Sequence, residues 1–350
     1  MPSFGRKPAP ALKTLAMFLG ATLLAYLVER AGPGRLIQNA KTIAWGMLVV
    51  IALAGISHIV KTWAWRLALL GEAKKVSFWR TLALRLISEA IGQLGFVGLV
   101  FGESARVALL GPEVQISSAI SSVTLDRGLF IATGAVVIIG GILVAVFGVV
   151  ISGALRLYAL FFVLSLLCLL VLAGLTIQRG WPLFSGTVRA AGCIPWLRNW
   201  LFSRRTVIES AEREFLRLHR QAPGAFWGSL LLNLVTHLLA ITEVYVILLF
   251  LGAHVSFVSA LILESLTKLI NVIGAINPGN LGTYEGGNMV IGKLIGLNGA
   301  QGLTLGLCRR FRAIFWAIVG AACLAWFSRS NRLVKPESSA EIVTGVDLCS

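Results

Sequence analysis

Residues 128–155 read GLFIATGAVVIIGGILVAVFGVVISGAL and carry no charged side chain. A bilayer hydrocarbon core of about 30 Å is crossed by about 20 apolar helical residues, so this run is long enough to span it. Similar uncharged runs lie at 14–28, 42–60, 157–178, 221–250 (interrupted by Glu243) and 313–328, the last extended through 294–308 if three arginines are tolerated. The sequence therefore predicts an all-α polytopic membrane protein with about six full spans.

The composition argues against a soluble protein. Of the 350 residues, 57% are hydrophobic and only 13% are charged, whereas soluble domains carry about 25% charged residues. A net charge of +16 would normally suggest a nucleic-acid partner, but too few charged residues remain to line a solvated groove. The cysteines form no CxxC pair, and nucleotide-binding glycine motifs are absent. We therefore expect no nucleic acid, metal or other cofactor.

The positions of Lys and Arg predict the orientation, since these residues are enriched in cytoplasmic loops. Three precede the first run, six lie at 61–85, eight at 178–220 and three after 328, whereas the turn at 251–257 has none. The prediction is a multi-pass protein of the cell (inner) membrane with both termini in the cytoplasm. Because no small-residue cleavage site follows the first run, we expect it to be retained as a span.

Two further segments are apolar but interrupted. Residues 76–113 begin and end on the predicted cytoplasmic side and contain IGQLGFVGLVFG, whereas 257–300 begin and end outside and contain LINVIGAINPGNLG. Both are too rich in glycine for two clean spans, so we interpret them as re-entrant helical hairpins, which membranes tolerate where protein or water covers the backbone. The alternative, two full spans in each segment, leaves the orientation unchanged.

The two hairpins resemble each other. SEAIGQLGFVG at 88–98 parallels SLTKLINVIG at 265–274, and Glu103 and Glu285 are each followed by an arginine 24 residues later, Arg127 and Arg309. Opposed repeats with broken helices are typical of transport sites near the membrane midplane. The predicted organisation is repeat 1 at about 42–155, a cytoplasmic amphipathic linker at 179–222, repeat 2 at about 223–328 and a disordered tail at 329–350.

Charged side chains inside these apolar segments are the candidate site residues, because burying a charge in a bilayer costs at least about 2.5–3.5 kcal/mol. Glu264 and Lys268 are four residues apart and can satisfy each other. Asp126 and Arg127 can equally lie at the interface. The arginines of 309–312 would occupy the outer half of a span, with Glu285 as the expected partner or an anionic lipid head group as the functional one.

The segment 277–287, NPGNLGTYEGG, is the most distinctive string. Pro278 ends a helix, Gly279 and Gly282 permit a turn with positive φ, and the next helix is expected to start near Thr283. The free N–H groups of a helix start favour an anion. A tight loop whose glycines serve packing alone is the other interpretation.

Three strings carry a family resemblance: GESARVALLG at 102–111, LDRGLF at 125–130 and PGNLGTYEG at 278–286. They resemble the lysylphosphatidylglycerol synthase transmembrane-region family of flippase-like membrane proteins, over about residues 40–328. The resemblance implies handling of a lipid between leaflets, with motif positions at Glu103, Arg106, Asp126, Arg127, Pro278, Gly279, Gly282 and Glu285. The first motif departs from the family at 96–101, and no aminoacyl-transferase domain is expected.

The leading hypothesis is a lipid transporter or flippase, not an enzyme, whose Glu and Arg residues engage an anionic head group. The proposed substrate-binding set joins the eight motif positions to Arg309 and Arg310. One alternative is an intramembrane enzyme with a glutamate base, although no nucleophile–base pair is readable. Another is a scaffold of lipid or envelope biosynthesis. Homo-oligomers or lipid-biosynthesis proteins are the expected protein partners.

Overall fold

The computed structural model describes residues 26, 29, 33–93, 96–111, 113–148, 153–179, 216, 220–274, 280 and 282–333. In these ranges the regular structure consists of α-helices and one short 3-10 helix at Leu70–Lys75. The first helices are α1 (Pro33–Ile43), α2 (Gly46–Ala68), α3 (Phe78–Gly92), α4 (Phe96–Leu109) and α5 (Ile116–Gly148). The others are α6 (Gly153–Arg179), α7 (Pro223–Phe250), α8 (Phe257–Gly274), α9 (Thr283–Leu294) and α10 (Gly299–Leu333).

Five of these helices are long and apolar enough to cross a membrane: α2, α5, α6, α7 and α10. The all-α polytopic prediction is therefore confirmed. The sixth predicted span, at 14–28, lies outside the described residues except for Tyr26. The same holds for most of the linker at 179–222. In the predicted tail, α10 continues to Leu333 and residues 334–350 lie outside the described part.

One span boundary is wrong in the sequence analysis. The second span was expected to end at residue 60, with Lys61 in a cytoplasmic loop, but α2 continues through Lys61 to Ala68. The helix continues because Thr62 and Trp65 are fully buried against neighbouring helices. This packing holds the charged segment 61–68 within the helix bundle. Arg85, also assigned to the cytoplasmic segment, lies buried in α3.

Each apolar hairpin segment forms two helices, and three of these four are shorter than about 17 residues, the least that a span needs. The helices α3 and α4 have 15 and 14 residues, or about 22 and 21 Å at 1.5 Å per residue. The helices α8 and α9 have 18 and 12 residues. Ser77 caps α3 by accepting the Arg80 N–H at 3.3 Å, which satisfies one free donor of the helix start. The re-entrant path itself stays a prediction.

The contacts between helices fall into matching pairs. If α2–α5 are set against α7–α10 in chain order, each contact within one set has its counterpart in the other. Contacts between the sets match as well. Helix α2 packs on its counterpart α7. The contact of α3 with α10 corresponds to that of α8 with α5, and the contact of α5 with α7 corresponds to that of α10 with α2. Two repeats of four helices would give such a pattern, and the repeat itself stays a prediction.

Apolar clusters hold each set together. One, built around Val244, Ile247, Leu263 and Leu305, joins α7, α8 and α10, and another, around Trp65, Leu84, Leu110 and Val123, joins α2 to α5. By contrast, α6 packs on α5 and presents large apolar side chains outward, such as Phe161 with 70% of its surface exposed. That exposure suits a helix that faces lipid.

Candidate functional site: two ionic clusters inside the helices

A first ionic cluster joins four helices around Asp126 of α5. The Asp126 Oδ2 accepts hydrogen bonds from Arg85 Nη1 at 2.9 Å and from Arg106 Nη2 at 3.1 Å. All three side chains are at least nine-tenths buried. The first cluster comprises Lys61, Arg85, Glu89, Glu103, Arg106 and Asp126. Helices α2, α3, α4 and α5 thus meet in one ionic network.

The outer members of the first cluster extend this network. Arg106 Nη1 donates to Glu103 Oε2 at 2.8 Å, and its guanidinium lies 3.9 Å from the Trp65 ring centroid. Lys61 Nζ donates to Glu89 Oε1 at 3.1 Å. The Nδ1 atom of His58 lies 3.3 Å from Glu89 Oε2. Charge pairing and cation–π contact together compensate the burial of these groups.

A second ionic cluster surrounds the arginines of α10. Arg309 lies between two carboxylates, with Nε 3.1 Å from Glu243 Oε1 and Nη1 2.7 Å from Glu264 Oε2. Glu264 also accepts from Lys268 Nζ at 2.7 Å, the pairing expected from their spacing. The other pairs are Arg312 with Glu243 and Arg310 with Glu285. The second cluster comprises Glu243, Glu264, Lys268, Glu285, Arg309, Arg310 and Arg312.

The start of α9 is organised around Glu285. The helix begins at Thr283, as expected, and Gly282 before it has φ of 74°, a conformation that glycine adopts without strain. The Gly282 N–H donates to Glu285 Oε2 at 2.9 Å. The Glu285 carboxylate therefore accepts from a backbone N–H group that we expected to be available to an external anion. Pro278 and Gly279 lie outside the described residues.

Two cavities connect the clusters with the surface. One of about 60 Å³ is lined by His58, Lys61, Glu89, Arg312 and Trp316 and lies where the two clusters approach each other. A second, of about 350 Å³, is lined by Arg310 and by the apolar side chains of α10 around Ile314. Gln93, Ala313 and Ala317 line both. Both cavities thus lie at the α3–α10 contact, and their walls are partly polar and partly apolar.

Six of the ten predicted site residues lie in the two ionic clusters. Glu103, Arg106 and Asp126 join the first cluster, and Glu285, Arg309 and Arg310 join the second. Arg127 lies beside them but packs over the Phe130 ring, 5.7 Å from its centroid. Gly282 shapes the backbone at Glu285. Asp126 is buried among the helices rather than exposed at a surface, while its depth in the membrane stays a prediction.

Sequence reasoning missed several members of the site. Lys61 and Arg85 were counted as loop charges, while Glu89, Glu243 and Glu264 were noted as intramembrane charges without being assigned to the site. A usable signal was present for Arg85 and Glu89, which are four residues apart on one helix and so lie on the same face. Among the described residues, no group of three or more His, Cys, Asp or Glu side chains could hold a metal ion.

Comparison with known proteins adds a family. Searches among curated proteins and among solved structures found no match. The family model described as "Lysylphosphatidylglycerol synthase TM region" matches residues 13–322, which include every described helix from α1 to α9 and most of α10. The matched range contains both ionic clusters and the five candidate spans up to residue 322. The chain therefore belongs to the lysylphosphatidylglycerol synthase TM-region family.

Proposed function

We propose that this protein moves a lipid or lipid-linked substrate between the two leaflets of the cell membrane and that the second ionic cluster engages an anionic head group. Support comes from the family, from the multi-pass architecture and from charges kept inside apolar helices. In membranes such charges are costly and typically mark substrate or ion pathways.

The balance of charge favours the second cluster as the head-group site. In the first cluster, three cations face three carboxylates. In the second, among the described residues, the four cations Lys268, Arg309, Arg310 and Arg312 face the three carboxylates of Glu243, Glu264 and Glu285. The excess of one positive charge is the observation that carries the proposal, because a buried unbalanced cation is stabilised by an anion.

Two of these arginines remain accessible. The side chains of Arg310 and Arg312 are 24% and 25% exposed, whereas that of Arg309 is only 9% exposed. Arg310 lines the cavity of about 350 Å³ and Arg312 the cavity of about 60 Å³, so each arginine borders a cavity at the α3–α10 contact. Arginine has donors left for a phosphate oxygen while it pairs with a carboxylate. A head group can therefore bind without dissolving the network.

The test is a leaflet-resolved assay in proteoliposomes, with fluorescent phosphatidylglycerol as the anionic probe and fluorescent phosphatidylcholine as the zwitterionic one. Phosphatidylglycerol should cross faster with protein than in protein-free vesicles. Arg310→Gln should lower that rate at least about tenfold, since a charge-assisted hydrogen bond to the head group contributes about 1.5–3 kcal/mol. Glu285→Gln should lower it as well, because Glu285 holds Arg310 in place and accepts from the Gly282 N–H, so its loss releases the arginine from its position. Arg80→Gln is the matched control, because Arg80 pairs with the half-exposed Glu113 away from the second cluster.

Two results would contradict the proposal. If neither lipid crosses faster than in protein-free vesicles, transport of glycerophospholipids is refuted. If phosphatidylglycerol crosses at the same rate in the correctly folded Glu285→Gln and Arg310→Gln variants, the second cluster is not the head-group site. Elution of each variant as a single species in size-exclusion chromatography verifies folding.

A further inference from the structure

The two matched helix pairs α4–α5 and α9–α10 pack differently. Between α4 and α5 lies a cavity of about 800 Å³, whereas α9 lies directly against α10 along a line of glycines. A volume of this size falls in the range of about 300–1,000 Å³ that is usual for ligand sites. The two matched pairs therefore show the same contact in two arrangements, open between α4 and α5 and closed between α9 and α10.

Two glycines of α10, Gly302 and Gly306, allow the close contact with α9. A Cβ on Gly302 would lie 2.8 Å from the Asn288 carbonyl oxygen and 2.8 Å from the Met289 Cα. A Cβ on Gly306 would lie 3.2 Å from the Glu285 Cα. Both obstacles are backbone atoms, which cannot rotate away. Only residues without a side chain allow α9 and α10 to approach this closely.

The matching positions of the first pair carry side chains. The equal spacing from Glu103 to Arg127 and from Glu285 to Arg309 sets Ile120 against Gly302 and Thr124 against Gly306. Both Ile120 and Thr124 line the open cavity. On the facing helix, Glu103 and Val107 correspond to Glu285 and Met289, and they line the cavity as well. The same four positions are thus open in one repeat and sealed in the other.

The walls of the open cavity indicate what fills it. Val107, Val114, Ile116, Ile120 and Val123 make it mainly apolar, while Glu103, Ser104 and Gln115 add polar groups. One wall is α5, a candidate membrane span, and the outward side chains of α4 include Phe101, which is 64% exposed. With a candidate span as one wall and apolar side chains at its edge, the groove is suited to face the hydrocarbon of a bilayer, where lipid tails rather than water would fill it.

We propose that the α4–α5 groove binds the acyl chains of the transported lipid and that the sealed α9–α10 contact is its counterpart, which opens when the first groove closes. This inference rests on the proposed function. It adds a tail-binding site to the head-group site and identifies this structure as the state open at repeat 1. Opposed repeats that exchange conformations give access from the two sides in turn.

The experiment measures maleimide labelling of two cysteine reporters, Val107→Cys and Met289→Cys, in the full-length chain with its five native cysteines replaced by alanine. The protein is in detergent without added lipid, so that water reaches an open groove and the thiolate that reacts can form there. Met289 is 9% exposed in the sealed contact, so its reporter should react at least about tenfold more slowly, since reaction needs local opening. Adding Gly302→Ala forces α9 from α10. It should accelerate labelling at 289 and slow labelling at 107.

Two controls separate this effect from misfolding. Gly140→Ala, on the span α5, adds a methyl group that meets nothing within 4 Å and should change neither reporter. Ile120→Ala acts from the other repeat, because a smaller wall lets α4 approach α5, and should shift the two reporters in the same directions as Gly302→Ala. If either Gly302→Ala or Ile120→Ala changes one reporter and leaves the other unchanged, the two grooves are independent and the inference is wrong.

The occupant is tested with phosphatidylglycerol added to the detergent-solubilised protein. It should slow labelling of Val107→Cys but not of His254→Cys, which lies exposed in the turn after α7. Equal effects on both reporters, or none, would refute the tail-binding groove. These readouts need no translocation, so their failure is distinct from a failure of the transport assay.

Discussion

Single residues decide how the buried charges are compensated. Asp126 is 1% exposed and its Oδ2 atom accepts from two arginines on two other helices. On the neighbouring helix α4, Arg106 also pairs with Glu103, three residues before it in the chain. Asp126 is therefore the residue on which the first cluster depends.

Asp126→Asn should destabilise the protein strongly. The change removes the negative charge that both Arg85 and Arg106 face. Among the described carboxylates, it leaves Arg106 with Glu103 alone and Arg85 with the more distant Glu89 alone, so that two buried cations lose their shared partner. Breaking a buried ion pair in this way costs about 3–5 kcal/mol. The free energy of unfolding in a mixed-micelle titration measures the loss.

Glu113→Gln is the matched control for this prediction. Glu113 is 51% exposed and pairs with Arg80 at 3.3 Å, and exposed pairs contribute about 0–1 kcal/mol. If Asp126→Asn unfolds no more easily than Glu113→Gln, the buried network does not hold the four helices together.

At the scale of elements, some helices approach each other so closely that a glycine of one helix contacts the backbone of the other. A Cβ on Gly320 of α10 would lie 2.8 Å from the Leu86 carbonyl carbon and 2.9 Å from the Ala90 Cβ of α3. The contact joins the two halves, since α3 belongs to the first set of helices and α10 to the second. Small residues allow membrane helices to pack this closely.

Gly320→Ala should therefore destabilise the protein by about 1–3 kcal/mol, the usual cost of overpacking. The added methyl group meets main-chain atoms of α3, so the helix itself must move. Thermal unfolding followed by circular dichroism in detergent measures the effect. Gly140→Ala, whose added methyl group would have nothing within 4 Å, should be neutral or slightly stabilising because alanine favours the helix. Equal midpoints for the two variants would show that α3 and α10 are not tightly packed at this point.

At the scale of the whole molecule, the charge distribution predicts how the chain is oriented in the membrane. Placing Lys61 and Arg85 inside the helix bundle removes two charges from the predicted cytoplasmic segment, yet Lys74, Lys75 and Arg80 remain at the α2–α3 connection. The turn between α7 and α8 carries no Lys or Arg. The positive-inside rule therefore still predicts the same orientation.

Labelling of intact cells tests this orientation. In a chain without native cysteines, His254→Cys should react with a membrane-impermeant maleimide added outside, whereas Lys74→Cys should react only after the membrane is permeabilised. Both positions are exposed, so access depends on the side of the membrane. The reverse pattern would invert the orientation and exchange the sides to which the two grooves open.

The sequence by itself determined the helical membrane class, most span positions and the breaks within both hairpins. Apolar run length, proline and glycine act locally, so each is readable from neighbouring residues. Asp126, Glu285 and Arg309 were recognisable as intramembrane charges for the same reason.

Only the tertiary structure decided which charges meet and which grooves are open. Arg309 pairs with Glu243 and Glu264, 66 and 45 residues away in the chain, and no local pattern encodes such distances. The Lys61 side chain is only 18% exposed because neighbouring helices cover it and Glu89 pairs with it, which outweighs its preference for water. The seal at Gly302 likewise depends on the backbone of Asn288, and that proximity exists only in the folded bundle.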